Sequence, residues 1–402
     1  MTPNLQDKIT SIPVSGFVCH STCQQDTEVG IQLNTVASPK GEDIIEKDFR
    51  ILARLQFGSF GEVELACHLP THTQVAVKIL KKANNHLDDI TSEGKIHQSL
   101  EHRNIVQLFH VIDTPTVTYM VMEFVEGRDL QMFLSERDYL KEEEAKPIFQ
   151  QAVSGLHFLH QRHIAHCDIK LENILMDRAG KVKLCDFGMA TQLSEGQMLT
   201  KIRGTLHYMA PEMLARKPYD GLAVDMWSLG VVLYVLVTGE FPYESTTIDG
   251  MHKIISSTDY PIPYNLSRAC QILISQLLTV CTQKRMTTCQ LLKESWLGNM
   301  KEHAGPTTQN IIPRVVESMC NIGYTCDEIL SALTHRQPNN KVMTTFKILK
   351  HKLISEDSPQ EREKPWSNIS SAGSLRSLHP MKRRASEPAF PAIRESVKRR
   401  RV

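Results

Sequence analysis

His166-Cys167-Asp168-Ile169-Lys170-Leu171-Glu172-Asn173 is the stretch whose reading decides the fold. It sets an acid, a lysine and an amide (Asp168, Lys170 and Asn173) in one short segment. Phosphoryl transfer requires these types. A carboxylate accepts or orients the proton of an incoming hydroxyl, a lysine neutralises charge on the moving phosphate, and an amide oxygen helps to hold magnesium. Partners follow in order. A strand-like run, Val182 to Cys185, leads to Asp186-Phe187-Gly188, and Ala210-Pro211-Glu212 comes later. A lone His-x-Asp means little, whereas the ordered set is specific.

Upstream, the pattern turns strand-like at Phe49. Phe49-Arg50-Ile51-Leu52-Ala53-Arg54-Leu55 runs into Gln56-Phe57-Gly58-Ser59-Phe60-Gly61-Glu62-Val63. Two strands joined by a glycine-containing turn can fold over a triphosphate, because Gly58 and Gly61 let the backbone approach phosphate oxygens. Val75-Ala76-Val77-Lys78 gives that hairpin its meaning. An unpaired ammonium on an apolar strand is costly to bury, so Lys78 needs anions. Nucleotide phosphates and a helix glutamate supply them, and Glu93 is the candidate glutamate. It shares a helical stretch with Ile96 and Leu100, although Gly94 beside it weakens that helix by about 1 kcal/mol relative to alanine. Tyr119 to Val125 reads as a buried strand running into a connector. Beyond it, Phe149, Val153, Leu156 and Leu159-His160 recur at helical spacing.

The chain has 402 residues, a formal net charge of +1 and ten cysteines. Such a charge balance does not mark a nucleic-acid or membrane binder, and neither partner is expected. Leu229 to Val237 is too short to cross a bilayer and fits a buried helix. No basic n-region precedes an apolar block at the start, so a secretory signal is not expected. The cysteines show no paired framework. Cys67, Cys185 and Cys281 lie in core-like runs, as expected of reduced thiols in a cytosolic protein. Cys19-His20-Ser21-Thr22-Cys23 is at most half a metal site, since no second pair at zinc spacing follows.

Together, residues 49 to 297 resemble a eukaryotic serine/threonine protein kinase. Tyr219-Asp220-Gly221 with Val224 to Tyr234 is similar to the branch holding the AMP-activated and microtubule-affinity-regulating kinases. Lys170 stands where serine/threonine kinases carry lysine. The resemblance implies an α+β, two-lobed fold over residues 48–297, with a small β-rich N-lobe and a large helical C-lobe. It implies ATP and Mg2+ as cofactors, and Ser/Thr hydroxyls of protein substrates as acceptors. Asp168 would orient the hydroxyl and Lys170 would stabilise the γ-phosphate. Asn173 and Asp186 would hold magnesium. Lys78, paired with Glu93, would grip the other phosphates. Leu55, Gln56, Phe57, Gly58, Ser59, Phe60, Gly61, Glu62, Val63 and Ala76 would complete the nucleotide site. Met122 would line its back, Glu123 and Val125 would offer backbone bonds to adenine, and Asp129 would reach the ribose or a substrate side chain. Asp225, opening the most apolar helix, would bond catalytic-loop backbone, and Arg285 would pair with Glu212. Acidic Glu172 and Asp129 imply a basic residue upstream of the target serine.

A second module supports that branch. Ile312, Val315, Val316 and Met319 share a helix face. Asn321-Ile322-Gly323-Tyr324 makes a turn, and Thr325-Cys326-Asp327-Glu328 is a capping box opening another helix. A third helix runs from Val342 to Leu353. Over 311–353 this resembles a ubiquitin-associated domain, a domain that mostly packs on the kinase in relatives, so ubiquitin binding is not implied. A short kinase plus this module is most similar to the sperm motility kinases of rodents, which implies a sperm flagellar setting. Residues 1–47 read as a disordered extension, 298–310 as a linker, and 354–402 as a Ser/Pro-rich basic tail. Within the tail, Lys382-Arg383-Arg384 and Lys398-Arg399-Arg400-Arg401 are compatible with nuclear import. Three departures stand out. Gln56 occupies the family's first loop glycine. Cys167 replaces the catalytic-loop arginine. Lys201 falls where the branch carries a phosphorylated threonine, when Lys201-Ile202-Arg203-Gly204-Thr205 is matched to Thr-Phe-Cys-Gly-Ser. The last two predict an activation loop that does not depend on phosphate at that position.

Overall fold

Strand periodicity explains where the small lobe keeps its lysine. In strand β3 (Thr73–Lys81), Val75 and Val77 are fully buried in an apolar cluster with Phe109 and Val121. Successive side chains alternate between faces, so Ala76 and Lys78 turn the other way, toward the cleft. The strand is central in a five-stranded antiparallel sheet of order β1-β2-β3-β5-β4, completed by β1 (Phe49–Gly58), β2 (Gly61–His68), β4 (Leu108–Asp113) and β5 (Val117–Glu123). Helix α1 (Leu87–Gln98) covers the cleft side and runs unbroken through Gly94. Its acidic start at Asp88 and Asp89 and basic end at Lys95 and His97 suit the helix dipole. The computed structural model describes residues 45, 47–58, 61–83, 87–257, 259–298, 300, 311–335 and 340–357. Most of the expected extension, linker and basic tail lies outside them, although Ile45 is already buried against the small-lobe cluster.

The large lobe is helical. Helices α2 (Leu130–Ser135), α3 (Glu142–His160), α4 (Pro211–Leu214), α5 (Gly221–Thr238), α6 (Ile248–Ser257), α7 (Arg268–Leu277) and α8 (Thr288–Leu291) surround one apolar core. Two small sheets lie at the lobe boundary. One has β6 (Gly127–Asp129), β8 (Ile174–Asp177) and β9 (Val182–Leu184); the other pairs β7 (Ile164–Ala165) with β10 (Thr191–Gln192). Helix α5 is long and apolar enough to cross a membrane, but most of it is buried inside the lobe. It opens at Gly221 with Asp220 as its cap, so Asp225 sits a turn inside the helix and does not open it. Arg285 is a buried cation held by both oxygens of Glu212, at 2.7 and 3.0 Å, and by the carbonyl of Ala223. Trp296 and Leu297 close the domain, the indole donating to Glu142 at 2.7 Å. Cys67 is buried, but Cys281 is exposed, because the chain leaves α7 before it and Val280 also faces solvent.

Three further helices, α9 (Ile311–Ile322), α10 (Cys326–His335) and α11 (Lys341–Asp357), enclose a core of Val315, Val316, Met319, Ile329, Phe346 and Leu349. The capping box forms, Glu328 accepting from the Thr325 backbone at 2.8 Å while its own N–H donates to the Thr325 hydroxyl. Helix α11 runs past the expected end at Leu353 to Asp357, where an ion pair with Arg314 of α9 holds its last turn.

A second face of α11 packs on the small lobe. Ile348 is fully buried in the cluster of Val75, Val77, Phe109 and Val121. Lys350 pairs with Glu101 at 2.6 Å, Lys341 pairs with Asp48, and the His351 ring meets Phe109 edge-on. Truncating a buried isoleucine loses transfer energy and leaves a cavity. Ile348→Ala is therefore expected to destabilise the small lobe, and not only the three-helix module, by about 2–5 kcal/mol in urea unfolding. A change confined to the module's own transition would contradict this packing.

Candidate active site

Lys78 projects from β3 into the cleft with 7% of its surface exposed. Two carboxylates meet it: Glu93 of α1 at 2.6 Å and Asp186 at 2.9 Å. Burial pushes the ammonium pKa down, but Asp186 and Glu93 together outweigh this and raise it. Burial likewise pushes Asp186 up, and the adjacent Lys78 charge overrides it, holding the carboxyl at about 2. Glu93 is pushed up by burial, with Lys78 opposing. The three groups form one buried ionic cluster that ties sheet, helix and the Asp186 segment together.

The catalytic loop is fixed from below. Asp225 of α5 accepts from the His166 and Cys167 backbone N–H groups, each at 2.8 Å, and contacts His160 Nε2 at 3.0 Å. His166 Nδ1 accepts from the Asp168 N–H, so its Nε2–H donates to the Cys185 carbonyl at 3.1 Å. Phe187 is fully buried between the rings of His166 and His97, with centroids 5.1 and 4.6 Å away. Burial holds His97 near pKa 4, and its neutral ring donates through Nε2 to the Val106 carbonyl. Above this floor, Asp168 Oδ2 accepts from Lys170 Nζ at 2.8 Å and from Asn173 Nδ2 at 2.9 Å. Asn173 also donates to the Asp168 carbonyl at 2.8 Å. Its NH2 is thus committed to Asp168, which leaves the amide oxygen as the group for a cation. That oxygen and the Asp186 carboxylate are hard oxygen donors, the chemistry magnesium prefers.

The β1–β2 hairpin, the candidate nucleotide loop, is described in part. Ser59 and Phe60 lie outside the described residues, while Gln56, Phe57 and Gly58 continue β1 and Gly58 pairs with Gly61. Gly61 has φ +143°, and a Cβ there would stand 2.5 Å from the Ile79 carbonyl, so no other residue fits. Leu55 is exposed and Val63 half-buried. Glu62 makes long ion pairs with Arg54 and Lys81, and Ala76 is buried. Met122 packs against Leu80, Ile90, Leu108 and Met120. The Glu123 N–H is taken by the Gln107 carbonyl, and Val125 follows as a half-buried connector residue. Asp129 caps α2, accepting from the Met132 N–H at 2.7 Å. Exposed Glu172 lies close enough for Asp129 and Lys170 to act on its charge.

Some participants escaped the sequence reading. Thr205 donates to Asp168 Oδ1 at 3.2 Å and receives Lys170 at 3.0 Å, so a hydroxyl already sits on the candidate catalytic carboxylate. Its sequence signal is slight: it stands where the family's Thr-Phe-Cys-Gly-Ser carries serine. Lys183 and His351 also escaped notice. They brace the Glu123 side chain at 3.0 and 3.2 Å, from β9 and α11, behind the connector.

A β-rich lobe set on a helical one, with two lysines, three carboxylates and an amide gathered between them, is the architecture of a protein kinase domain. Residues 49–297 match the protein kinase domain, and the chain belongs to that family. It is 34% identical over 367 residues to the putative sperm motility kinase W of Mus musculus, covering 89% of this chain and 73% of that protein. To sperm motility kinase Z of the same organism it is 34% identical over 377 residues, covering 91% and 75%. To sperm motility kinase 3A it is 33% identical over 330 residues, covering 80% and 65%.

The bracing of Glu123 has a pH signature. Burial raises its pKa, but Lys183 and His351 outweigh that and hold it at about 2, against an ordinary 4.5. A folded-state pKa below the unfolded one contributes stability that is complete above the unfolded value and is lost as pH falls toward the folded value. The contribution is about 3 kcal/mol. Stability measured from pH 6 down to pH 3 should fall more steeply in the wild type than in Glu123→Gln; parallel curves would show that this carboxylate is not the linked group.

Proposed function

We propose that the chain is an active serine/threonine protein kinase, transferring the γ-phosphate of ATP to Ser or Thr hydroxyls of protein substrates. The observation that carries this is the interlocked Asp168, Lys170 and Asn173, all within hydrogen-bond distance, beside a closed Lys78–Glu93 pair. In this reading Asp168 holds the acceptor hydroxyl and takes up its proton. Lys170 lies against Asp168 and faces the moving phosphoryl charge. Lys78 grips the remaining phosphates and is itself positioned by Glu93. Asn173 and Asp186 hold Mg2+, which when bound neutralises charge on the phosphate oxygens. The hairpin from Leu55 to Val63, with Ala76, encloses the nucleotide, and the Glu123 and Val125 backbone meets adenine.

We assign the chain to the branch of the AMP-activated and microtubule-affinity-regulating kinases, on the likeness of residues 219–234. Residues 311–353 with the end of α11 form a module of ubiquitin-associated type, whose packing on the small lobe favours a supporting role over ubiquitin capture. The relatives are named sperm motility kinases, and on that likeness we place the chain in sperm, in the cytoplasm and at the flagellum. The basic clusters of the tail keep nuclear import as a second address.

If this assignment of roles holds, Asp168→Asn and Lys78→Met will each lower kcat/KM toward a generic basic peptide by at least about a hundredfold without unfolding the protein, since each removes a contact made in the transition state. A wild type that binds ATP yet turns over no faster than these variants is a pseudokinase scaffold. Substrate choice supplies a separate test. Glu172 and Asp129 form an acidic rim that suits a basic side chain upstream of the acceptor. A peptide library should show preference for arginine or lysine about three positions before the acceptor, as Arg383-Arg384-Ala385-Ser386 offers in the tail. Glu172→Gln should weaken the preference; a library indifferent to basic residues would remove the acidic rim from the specificity argument.

A further inference from the structure

Arg203 Nη2 meets Asp89 Oδ1 at 3.1 Å, joining two segments that are 114 residues apart in the chain. Asp89 stands in the first turn of α1, and Glu93, four residues on, lies on the same side of that helix. Arg203 belongs to the segment between Asp186 and Glu212. That segment is held on both sides of Arg203 by the chain's own groups. Tyr219 donates to the Lys201 carbonyl at 2.6 Å, and Leu199 and Tyr219 exchange both backbone hydrogen bonds. Gly204, at φ +106°, presses on the catalytic loop so closely that a Cβ would stand 3.0 Å from the Cys167 carbonyl. Thr205 is locked to Asp168 and Lys170.

The groups around this point exclude a phosphate anchor of the usual kind. Cys167 is 7% exposed and packs among Ala165 and Leu193, with Leu199 and Leu222 against them. Burial pushes its thiol pKa well up, so it offers an incoming phosphate neither a cation nor a polar surface. Lys201 is exposed and itself positive. The guanidinium of Arg203 lies near enough to Cys167 to act on it electrostatically, so a cation is present beside the loop but is supplied by the activation segment. Its partner is a carboxylate on α1.

We propose that the Arg203–Asp89 ion pair is a built-in strut that holds α1, and through Glu93 the Lys78 contact, in the closed position without phosphorylation. Arg203 and Asp89 are positioning residues in the active-kinase reading, on which this inference rests. The pair is partly exposed, with side chains 26% and 45% accessible, so its effect is modest, about two- to fivefold in the closed population.

The test is a double-mutant cycle on the full chain with Arg203→Gln and Asp89→Asn, read in two ways. Amide hydrogen exchange of α1 reports the strut whether or not the protein turns over, and kcat toward a basic peptide reports its consequence. Each single variant should raise exchange within residues 87–98 by about two- to fivefold, and the double variant should exchange no faster than either. The kcat values should fall in parallel. Phosphatase treatment and Thr200→Ala should leave α1 exchange unchanged. Unchanged exchange in Arg203→Gln, additive losses in the double variant, or faster exchange after phosphatase or in Thr200→Ala would each overturn the strut. A wild type without turnover would defeat the active-kinase reading, while the exchange arm would still decide whether the strut exists.

Discussion

An ammonium cannot stay buried on a β-strand without counter-charge, and the small lobe is arranged around that constraint. Lys78 sits on the cleft face of β3 because Val75 and Val77 must face the apolar cluster. Once there, it needs anions, and the chain brings them from two distant places, α1 and the segment opening at Asp186. Replacing both carboxylates by apolar groups would strand the lysine, and breaking a buried pair typically costs about 3–5 kcal/mol. The ionic cluster therefore does more than bind phosphate. It makes helix position, strand and segment conformation a single variable.

The catalytic loop obeys a second constraint that meets the first at Phe187. Cys167 and Asp186 both hold left-handed backbone conformations, at φ +62° and +60°. Such residues cost about 1–3 kcal/mol each and persist only where their surroundings over-determine them. Asp225 supplies that determination at Cys167 by capturing two consecutive N–H groups. At Asp186 it comes from Lys78 on one side and from the burial of Phe187 on the other. Phe187 packs at a tilt against His166, whose backbone Asp225 holds, and against His97 of α1, which also carries Glu93. A shift of α1 would thus loosen the Lys78 contact and the packing beneath the catalytic loop together. That coupling is why a weak, partly exposed contact at the start of α1 can bear on a site buried much deeper.

The two-lobed architecture and the convergence of Lys78, Glu93, Asp168, Asn173 and Asp186 were legible because buried charge leaves a strong trace. A lysine inside Val75-Ala76-Val77-Lys78 or an aspartate inside an apolar helix has few structural excuses. Polar side chains on loops leave weaker traces. Thr205 bonds both Asp168 and Lys170, yet one hydroxyl in an irregular segment looks like any other. Arg203 matches an uncharged family residue in sequence, and its partner Asp89 reads locally as a helix-dipole residue. Cys281 misled for a related reason. An apolar neighbourhood in sequence predicts burial only while the helix lasts, and α7 has already ended at Leu277. The position of Asp225 inside its helix depended on a cap, Asp220, that the apolar run itself does not reveal.

Helix α11 shows how a second partner can be written in a helix that looks ordinary. A three-helix module needs one apolar stripe from each member. Phe346 and Leu349 supply that stripe, but Ile348 lies between them in sequence and therefore points elsewhere. An isoleucine with no exposed surface, off the module's own core, requires another core to enter, and the small-lobe cluster of Val75, Val77 and Val121 is that core. The polar neighbours follow the same direction: Lys350 to Glu101 and His351 to Glu123, one turn along from Lys347, whose pKa burial pushes down. Because Glu123 begins the connector between the lobes, the module's last helix bears on the back of the candidate nucleotide site. The apolar surplus of α11 thus links the most C-terminal described element to the part of the small lobe where adenine is expected to sit.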